Sequence, residues 1–339
     1  MIGVPGSRSQ GRARLVALGS YVPTQILSNA DLERQVDTTD EWIVSRTGIR
    51  ERRIVAPGQA TSDLAILAAT NVLEAAQRSA DEIDVLIVPT CTPDHLFPSV
   101  SAITANAIGA HAAAAFDIQA ACSGFIYGLA QALALVESGL AQNVLVVGAE
   151  VFSRVTNPHD RGTCILFGDA AAGALVVRDE DGGPSGFLGF ELGADGSRGD
   201  QLIIPVGGTR HPASEPFDPD DAYVQMNGRE VFRFATRVIE DSVLRLLDRL
   251  GMAIDDVDLL VPHQANQRII DHAIGRLGID ATRVFNNLEH YGNTSAASIP
   301  LAMAEARDAG ALRPGMRVMM VGFGAGLTWA ACFVRYEPE

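Results

Sequence analysis

The sequence predicts an α/β protein assembled from two similar halves. Short apolar runs of strand length alternate with segments of helical period. The runs of the second half repeat those of the first at near-constant spacing. Composition agrees: of 339 residues, 47% are apolar, 20% charged and 6% aromatic. That suits one large core or two fused ones, not a disordered or fibrous chain.

Residues 1–12 (MIGVPGSRSQGR) are polar and rich in Gly, Ser and Arg, so a flexible N-terminus is expected there, with no signal-peptide pattern. Strand-like runs follow at 13–19, 85–89, 114–118, 143–148 and 174–177, then at 186–192, 259–262, 318–322 and 328–334. Helical periodicity marks 62–78, 124–138, 228–250 and 297–309. Alternation of this kind implies parallel sheets covered by helices on both faces. Apolar runs such as 144–149 fall far short of the ~20 residues a membrane helix needs. A soluble, cytoplasmic protein without membrane partners is expected.

The repeat is visible in three pairs of segments. LVALG ends at Gly19 and LGFELG at Gly193; IDVLIVP ends at Pro89 and VDLLVP at Pro262; NVLVVG ends at Gly148 and RVMMVG at Gly322. Their offsets are 174, 173 and 174 residues. Agreement within one residue points to an internal duplication. The halves, 13–183 and 184–339, are expected to meet in the turn-rich stretch 179–185 (DEDGGPS). No long linker separates them, so they are expected to pack as one unit with a site between.

A net charge of −15 and a pI near 4.8 argue against general binding to nucleic acid or anionic membranes. Solubility is the simplest reading of the acidity, and an anionic ligand would need a local basic patch. The cysteines, Cys91, Cys122, Cys164 and Cys332, have neither metal-ligand spacing nor the density of a disulfide framework. Reduced thiols in a cytoplasmic protein fit them.

Four motifs can carry chemistry. In AAFDIQAACSGFIYG, an apolar strand ends near Gln119, small residues turn the chain, and a helix starts just after Cys122. A helix N-terminus lowers a thiol pKa, although a buried structural cysteine is equally open on position alone. In LLVPHQANQRII, His263 follows an apolar strand, at the strand end where α/β sheets bind ligands; a satisfied loop histidine is the alternative. In HYGNTSAAS, Asn293 lies in a small-residue turn 171 residues after Cys122. That approximates the duplication offset and suggests roughly equivalent, facing positions, although asparagine is also an ordinary helix cap. In GFGAGLTWAACFV, the glycines do not form G-x-G-x-x-G and a strand follows, which excludes a dinucleotide loop. Such a turn can bring a backbone N–H to a substrate oxygen.

Taken together, DEWIVSRTGIRERRI (40–54), AACSGF (120–125), DRGTCILFGDAAA (160–172), VPHQANQRII (261–270), HYGNTSAAS (290–298) and GFGAGLTW (322–329) resemble the β-ketoacyl-acyl carrier protein synthase III family. The resemblance covers about residues 15–336. It implies the thiolase-like five-layered αβαβα fold with two duplicated halves, and an enzyme that starts bacterial fatty acid synthesis. Asn293 as third catalytic residue matches type III synthases, whereas elongating synthases use a second His and hydroxymethylglutaryl-CoA synthases a Glu. Plant-type polyketide synthases share Cys-His-Asn but lack HQANQR and DEWIVSRTGIRER.

The resemblance further implies that Cys122 takes the acyl group from an acyl-CoA primer, with an oxyanion hole from the N–H groups of Cys122 and Ala325. His263 and Asn293 would bind the thioester oxygen of malonyl-acyl carrier protein and stabilise the enolate left when CO₂ departs. CoA thioesters would be substrates, with no resident cofactor and no metal. Trp42 and Arg161 would sandwich the adenine of CoA, with Arg46 nearby. Arg233, Arg268 and Arg276 would form the carrier-protein patch, which Gly275 thins where relatives often carry lysine. Phe97 would reach across a homodimer into the partner's acyl pocket, and Phe232 and Phe323 would line the entrance. Ala325 replaces a family glycine, but a backbone donor survives that change. Cys91, Cys164 and Cys332 read as ordinary core residues. A related acyltransferase or condensing enzyme of secondary metabolism is the alternative function; a non-catalytic partner subunit fits less well because Cys122 is present.

Overall fold

The computed structural model describes residues 13–179 and 186–338. The expected flexible N-terminus, residues 1–12, and the meeting point of the halves, within 180–185, lie outside them. The main strands are β1 (Ala13–Tyr21), β2 (Val85–Pro89), β3 (Ala114–Ile118), β4 (Asn143–Val151), β5 (Asp169–Arg178), β6 (Gly186–Ala194), β7 (Leu259–Pro262), β8 (Arg317–Gly324) and β9 (Thr328–Arg335). The helices that frame the site are α1 (Asp40–Thr47), α2 (Thr61–Ala76), α3 (Val100–Ile108), α4 (Gly124–Glu137), α5 (Gly228–Leu250), α6 (Gln267–Leu277) and α7 (Ser298–Asp308). Every strand and helix anticipated from the sequence is present, with ends displaced by a few residues.

The first sheet runs β1-β5-β4-β2-β3 and the second β7-β8-β9-β6. Both are mixed, which corrects the expectation of parallel sheets. β2 pairs in parallel with β3 and β4, and β7 with β8, whereas β5, β1, β9 and β6 enter antiparallel. A strand buried on both faces reads as a continuous apolar run whichever way it points, so the sequence pattern does not register direction. The repeat is structural: β2, β4, β5 and β1 correspond in order to β7, β8, β9 and β6. β3 has only a vestige as counterpart, a single parallel bridge between Leu260 and Val284.

Five layers result. α2 and α3 cover one face of the first sheet, with Leu64, Ala68 and Val72 packed on Leu86, Leu145 and Leu175. α5 and α6 cover the far face of the second, where Ile239, Leu246 and Ala273 meet Met319, Val321 and Phe333. Between the sheets lie α4 and α7. Phe125 and Leu129 of α4, and Ile299 and Met303 of α7, share one core with Leu15, Ile87 and Val146 of the first sheet and Val261, Met320 and Val334 of the second.

Local signals explain the helix ends that matter. Thr39 caps α1 by accepting from the Trp42 N–H at 3.1 Å, and Gly48, at φ +80°, ends it. Asn266 caps α6 by accepting from the Arg268 N–H at 2.9 Å. α4 and α7 lack side-chain caps and instead follow tight turns at 121–123 and 295–297. Each turn opens on a non-glycine residue in the left-handed region, Ala121 at φ +47° and Ser295 at φ +48°. No helix among the described residues is long and apolar enough to cross a membrane.

Candidate active site

The two central turns meet the opposite half of the molecule. A Cβ on Gly148 of β4 would lie 2.4 Å from the Ala296 carbonyl oxygen, and one on its repeat equivalent Gly322 of β8 would lie 3.1 Å from the Cys122 carbonyl oxygen, with one on Gly324 2.6 Å from the Cys122 backbone nitrogen. Each half therefore presses a glycine of its central strand against the turn of the other, and any side chain there would collide with backbone. This crossed contact identifies the duplicated positions. Ala121 and Ser295 are equivalent, so the counterpart of Cys122 is Ala296. Asn293 lies three residues earlier in its turn and is not the mirror of Cys122; the near-match in spacing was a coincidence of neighbouring positions.

Cys122, His263 and Asn293 are nevertheless gathered by one stretch, 295–298. The Ser295 N–H donates to Asn293 Oδ1 at 2.9 Å. Ser298 Oγ lies 2.7 Å from His263 Nδ1. The Ser295 hydroxyl faces the Cys122 thiol, although it is buried without a partner in hydrogen-bonding geometry. Asn293 is fixed further through its backbone, donating to the Leu166 carbonyl at 2.8 Å and accepting from the Gly168 N–H at 3.1 Å. His263 continues β7, its N–H donating to the Val321 carbonyl at 2.8 Å, with its ring against the edge of Phe323 at 5.3 Å.

Burial governs the protonation of this cluster. All three side chains are buried. Burial pushes the Cys122 thiol up to about 12, with the Ser295 contact opposing it and the Glu150 charge adding to it. Loss of solvent also depresses His263 to about 3. The same cause disfavours the charged form of each group. The expected lowering of the thiol pKa by the helix start is therefore outweighed in the resting site, which holds a neutral thiol and a neutral imidazole.

The Gly-rich turn lies beside the nucleophile. Thr328 Oγ1 donates to the Ala120 carbonyl at 2.9 Å and lies 3.1 Å from that of Ala325, tying the turn after β8 to the one before Cys122. This arrangement sets the Ala325 backbone near Cys122. Phe323 is buried against His263 and is a wall of the site rather than of its entrance. Phe232 is partly buried beneath the Arg268 guanidinium, 5.5 Å from its ring centre.

α1 carries the candidate CoA residues. Arg161 lies over the Trp42 ring at 4.9 Å and Arg46 at 5.9 Å. Arg161 also donates to the Asp37 carbonyl at 2.8 Å. The guanidinium rests directly on the indole, so an adenine between them requires Arg161 to swing outward. The Arg46 carbonyl accepts from Asn266 at 3.0 Å, which couples α1 to the loop that follows His263.

Of the three arginines expected to form a carrier-protein patch, two are engaged within the chain. Arg276 makes a two-point contact with Glu240, both bonds at 2.9 Å, and Arg233 pairs with Glu230 at 2.9 Å. Arg233 also lines a surface groove with Arg198, Arg237 and Arg245, beside Trp329. Phe97 is 85% exposed, next to Leu96 at 83%, so within one chain it contacts no acyl pocket.

Cys164 and Cys332 are buried as expected, but Cys91 is only partly so, and it lies against the Ala121 backbone beside the nucleophile turn. Sequence reasoning missed Ser295, Ser298, Thr328 and Glu150. The first two stand inside GNTSAAS, and Glu150 interrupts the apolar run NVLVVGAEV; that interruption was the available signal.

The five-layered duplicated fold and the cysteine at its centre define a condensing enzyme of the thiolase-like class. Residues 116–196 match the family model for 3-oxoacyl-[acyl-carrier-protein] synthase III, and residues 247–336 match the model for its C-terminal part. A β-ketoacyl-[acyl-carrier-protein] synthase III of Desulfitobacterium hafniense is 51% identical over 326 residues, covering 96% of this chain and 98% of the relative. The crystal structure of the corresponding synthase from Thermus thermophilus superposes with a TM-score of 0.89 at 47% identity, covering 96% of this chain and all of that one. The priming β-ketosynthase of the R1128 polyketide pathway gives a TM-score of 0.89 at 35% identity, with 97% of each chain covered. The chain belongs to the β-ketoacyl-acyl carrier protein synthase III family.

Proposed function

We propose that the chain catalyses the decarboxylative condensation of an acyl-CoA primer with malonyl-acyl carrier protein, releasing CO₂ and CoA and giving 3-oxoacyl-acyl carrier protein. The observation that carries this reading is the convergence of Cys122, His263 and Asn293 on the single stretch 295–298. Cys122 attacks the primer thioester and becomes acylated, which divides a hard condensation into two steps. Backbone N–H groups of Cys122 and Ala325 receive the developing oxyanion.

In the second step, the malonyl thioester oxygen accepts from His263 Nε2 and Asn293 Nδ2. The hydrogen bonds support this division of labour. Asn293 Oδ1 is occupied by the Ser295 N–H, which directs its amide N–H groups elsewhere. A Ser298 hydroxyl donating to His263 Nδ1 leaves the proton of a neutral imidazole on Nε2. Two aimed donors in a dry site stabilise the enolate, and the carbanion attacks the acyl-cysteine.

The Trp42–Arg161 stack takes the adenine of CoA, and Arg233 and Arg268 meet the acidic carrier protein. A homodimer is supported by β3, an edge strand with Phe116 38% exposed, and by the exposed Leu96 and Phe97; an apolar strand edge invites pairing with a second copy. Use of acyl-CoA and acyl carrier protein as substrates supports a cytoplasmic location. The relatives near half identity are named β-ketoacyl-[acyl-carrier-protein] synthase III, which supports priming of fatty acid synthesis over a secondary-metabolite role.

The test is mass spectrometry of the protein after incubation with a short acyl-CoA. One acyl mass should appear on Cys122 and be lost in Cys122→Ala. Adding malonyl-acyl carrier protein should then discharge it. Acyl mass on Cys91, Cys164 or Cys332 instead would overturn the reading.

A further inference from the structure

Glu150 is a carboxylate with no exposed surface, near the end of β4 and two residues beyond the glycine that presses on the 295–297 turn. Its hydrogen-bond donors are uncharged. Thr92 Oγ1 donates at 2.7 Å, the Cys91 N–H at 3.0 Å and Thr90 Oγ1 at 3.3 Å. On its other side it meets the Ser295 side chain and the Ala296 backbone. A charge taken out of water without a cation is costly, so its position calls for a reason beyond packing. Nothing in the condensation steps above uses it.

What surrounds Glu150 is the nucleophile. The 90–92 segment that it ties down carries Cys91, whose thiol lies against Ala121. Ser295, which it touches, faces Cys122 and holds Asn293. The titratable groups facing Glu150 are Cys91 and Cys122. Asp169, on the neighbouring strand, is occupied by Ser153 and the Val55 N–H. A carboxylate and a thiolate facing each other in a buried site oppose each other's ionisation.

We infer that Glu150 is a positioning residue that sets the reactivity of Cys122: it anchors the 90–92 segment beside the nucleophile turn and places a negative charge there that disfavours the free thiolate. This rests on Cys122 being the nucleophile. Burial raises the Glu150 carboxyl to about 7, against the hydrogen bonds from Thr92 and Cys91. Its charge is therefore removed by mild acid and present at higher pH.

The experiment is alkylation of the full-length protein by iodoacetamide, followed as modification of the Cys122 peptide from pH 5.5 to about 9. Glu150→Gln keeps the shape and removes the charge, so Cys122 should react roughly tenfold faster at about pH 8, the effect of one unit in the thiol pKa. The two proteins should converge below about pH 6, where Glu150 is mostly neutral in the wild type. Thr92→Val removes the 2.7 Å donor, raises the carboxyl further and should accelerate alkylation in the same direction by less. It keeps the test open should Glu150→Gln fail to fold. Unchanged Cys122 profiles in the folded variants, or slower alkylation in Glu150→Gln, would overturn the inference. Modification of other cysteines with Cys122 left intact would instead overturn the assignment of the nucleophile.

Discussion

His263 shows how a single hydrogen bond can decide the use of a residue. Its imidazole is neutral because burial holds it near 3, so it serves as a donor only if the proton sits on Nε2. Ser298 Oγ lies 2.7 Å from Nδ1, and with the hydroxyl as donor in that contact the proton sits on Nε2. Ser298→Ala should therefore lower malonyl decarboxylation by about 10²-fold, the order of losing one aimed donor. Acylation of Cys122 should change little, because the oxyanion donors proposed for that step are backbone groups. Comparable losses in both half-reactions, measured as CO₂ release and acyl-enzyme formation, would show that Ser298 only supports the fold.

The depressed His263 also affects stability. An unfolded histidine takes up a proton as pH falls through 6.5, whereas the folded one resists until about 3. Over that window the unfolded state binds more protons, so His263 costs stability progressively as pH drops and nothing above about pH 7. Urea unfolding should show wild type losing more stability than His263→Gln between about pH 6.5 and 4. Parallel pH profiles for the two proteins would mean that the folded histidine is not held neutral.

At the scale of elements, the crossed glycines do the positioning. β4 and β8 can approach the opposite turns only because Gly148 and Gly324 lack a Cβ. Gly148→Ala would put a methyl group 2.4 Å from the Ala296 carbonyl and displace the turn that holds Asn293 and His263. A destabilisation of about 1–3 kcal/mol is expected, as for other overpacked interiors. Chemical denaturation would measure it, and a change below about 0.5 kcal/mol, within the range of surface substitutions, would mean that the turn yields freely.

Much of this element-level order was legible in the sequence. Strand-length apolar runs, helical periods and the repeat of about 174 residues follow from burial, which leaves a periodic trace. Strand direction left none, because β5 and β9 are as apolar as their parallel neighbours. The pairing of Cys122 with Asn293 failed for a related reason. The symmetry belongs to the backbone, in the left-handed Ala121 and Ser295, and not to the reactive side chains. Trp42 and Arg161 lie in direct contact although far apart in sequence. Glu150 and Thr328 act through partners distant in sequence, such as Thr92 and Ala120, and no local pattern reveals such contacts.

At the scale of the whole molecule, one chain leaves two features without a counterpart. β3 offers its outer edge to solvent at the end of the first sheet, and Phe97 and Leu96 project at 85% and 83% exposure. Residues of that size remain exposed in a soluble protein when a partner covers them. Pairing of β3 with the same strand of a second copy would satisfy the edge and carry each Phe97 toward the other subunit. Phe116→Lys places a charge on that edge, a device that blocks strand pairing, while its half-exposed site spares the core. Sedimentation should show wild type as a dimer and Phe116→Lys as a folded monomer. Condensation should fall with the dimer, since Phe97 would no longer reach the partner's acyl pocket. A wild-type protein that sediments as a fully active monomer would remove both the interface and the role of Phe97.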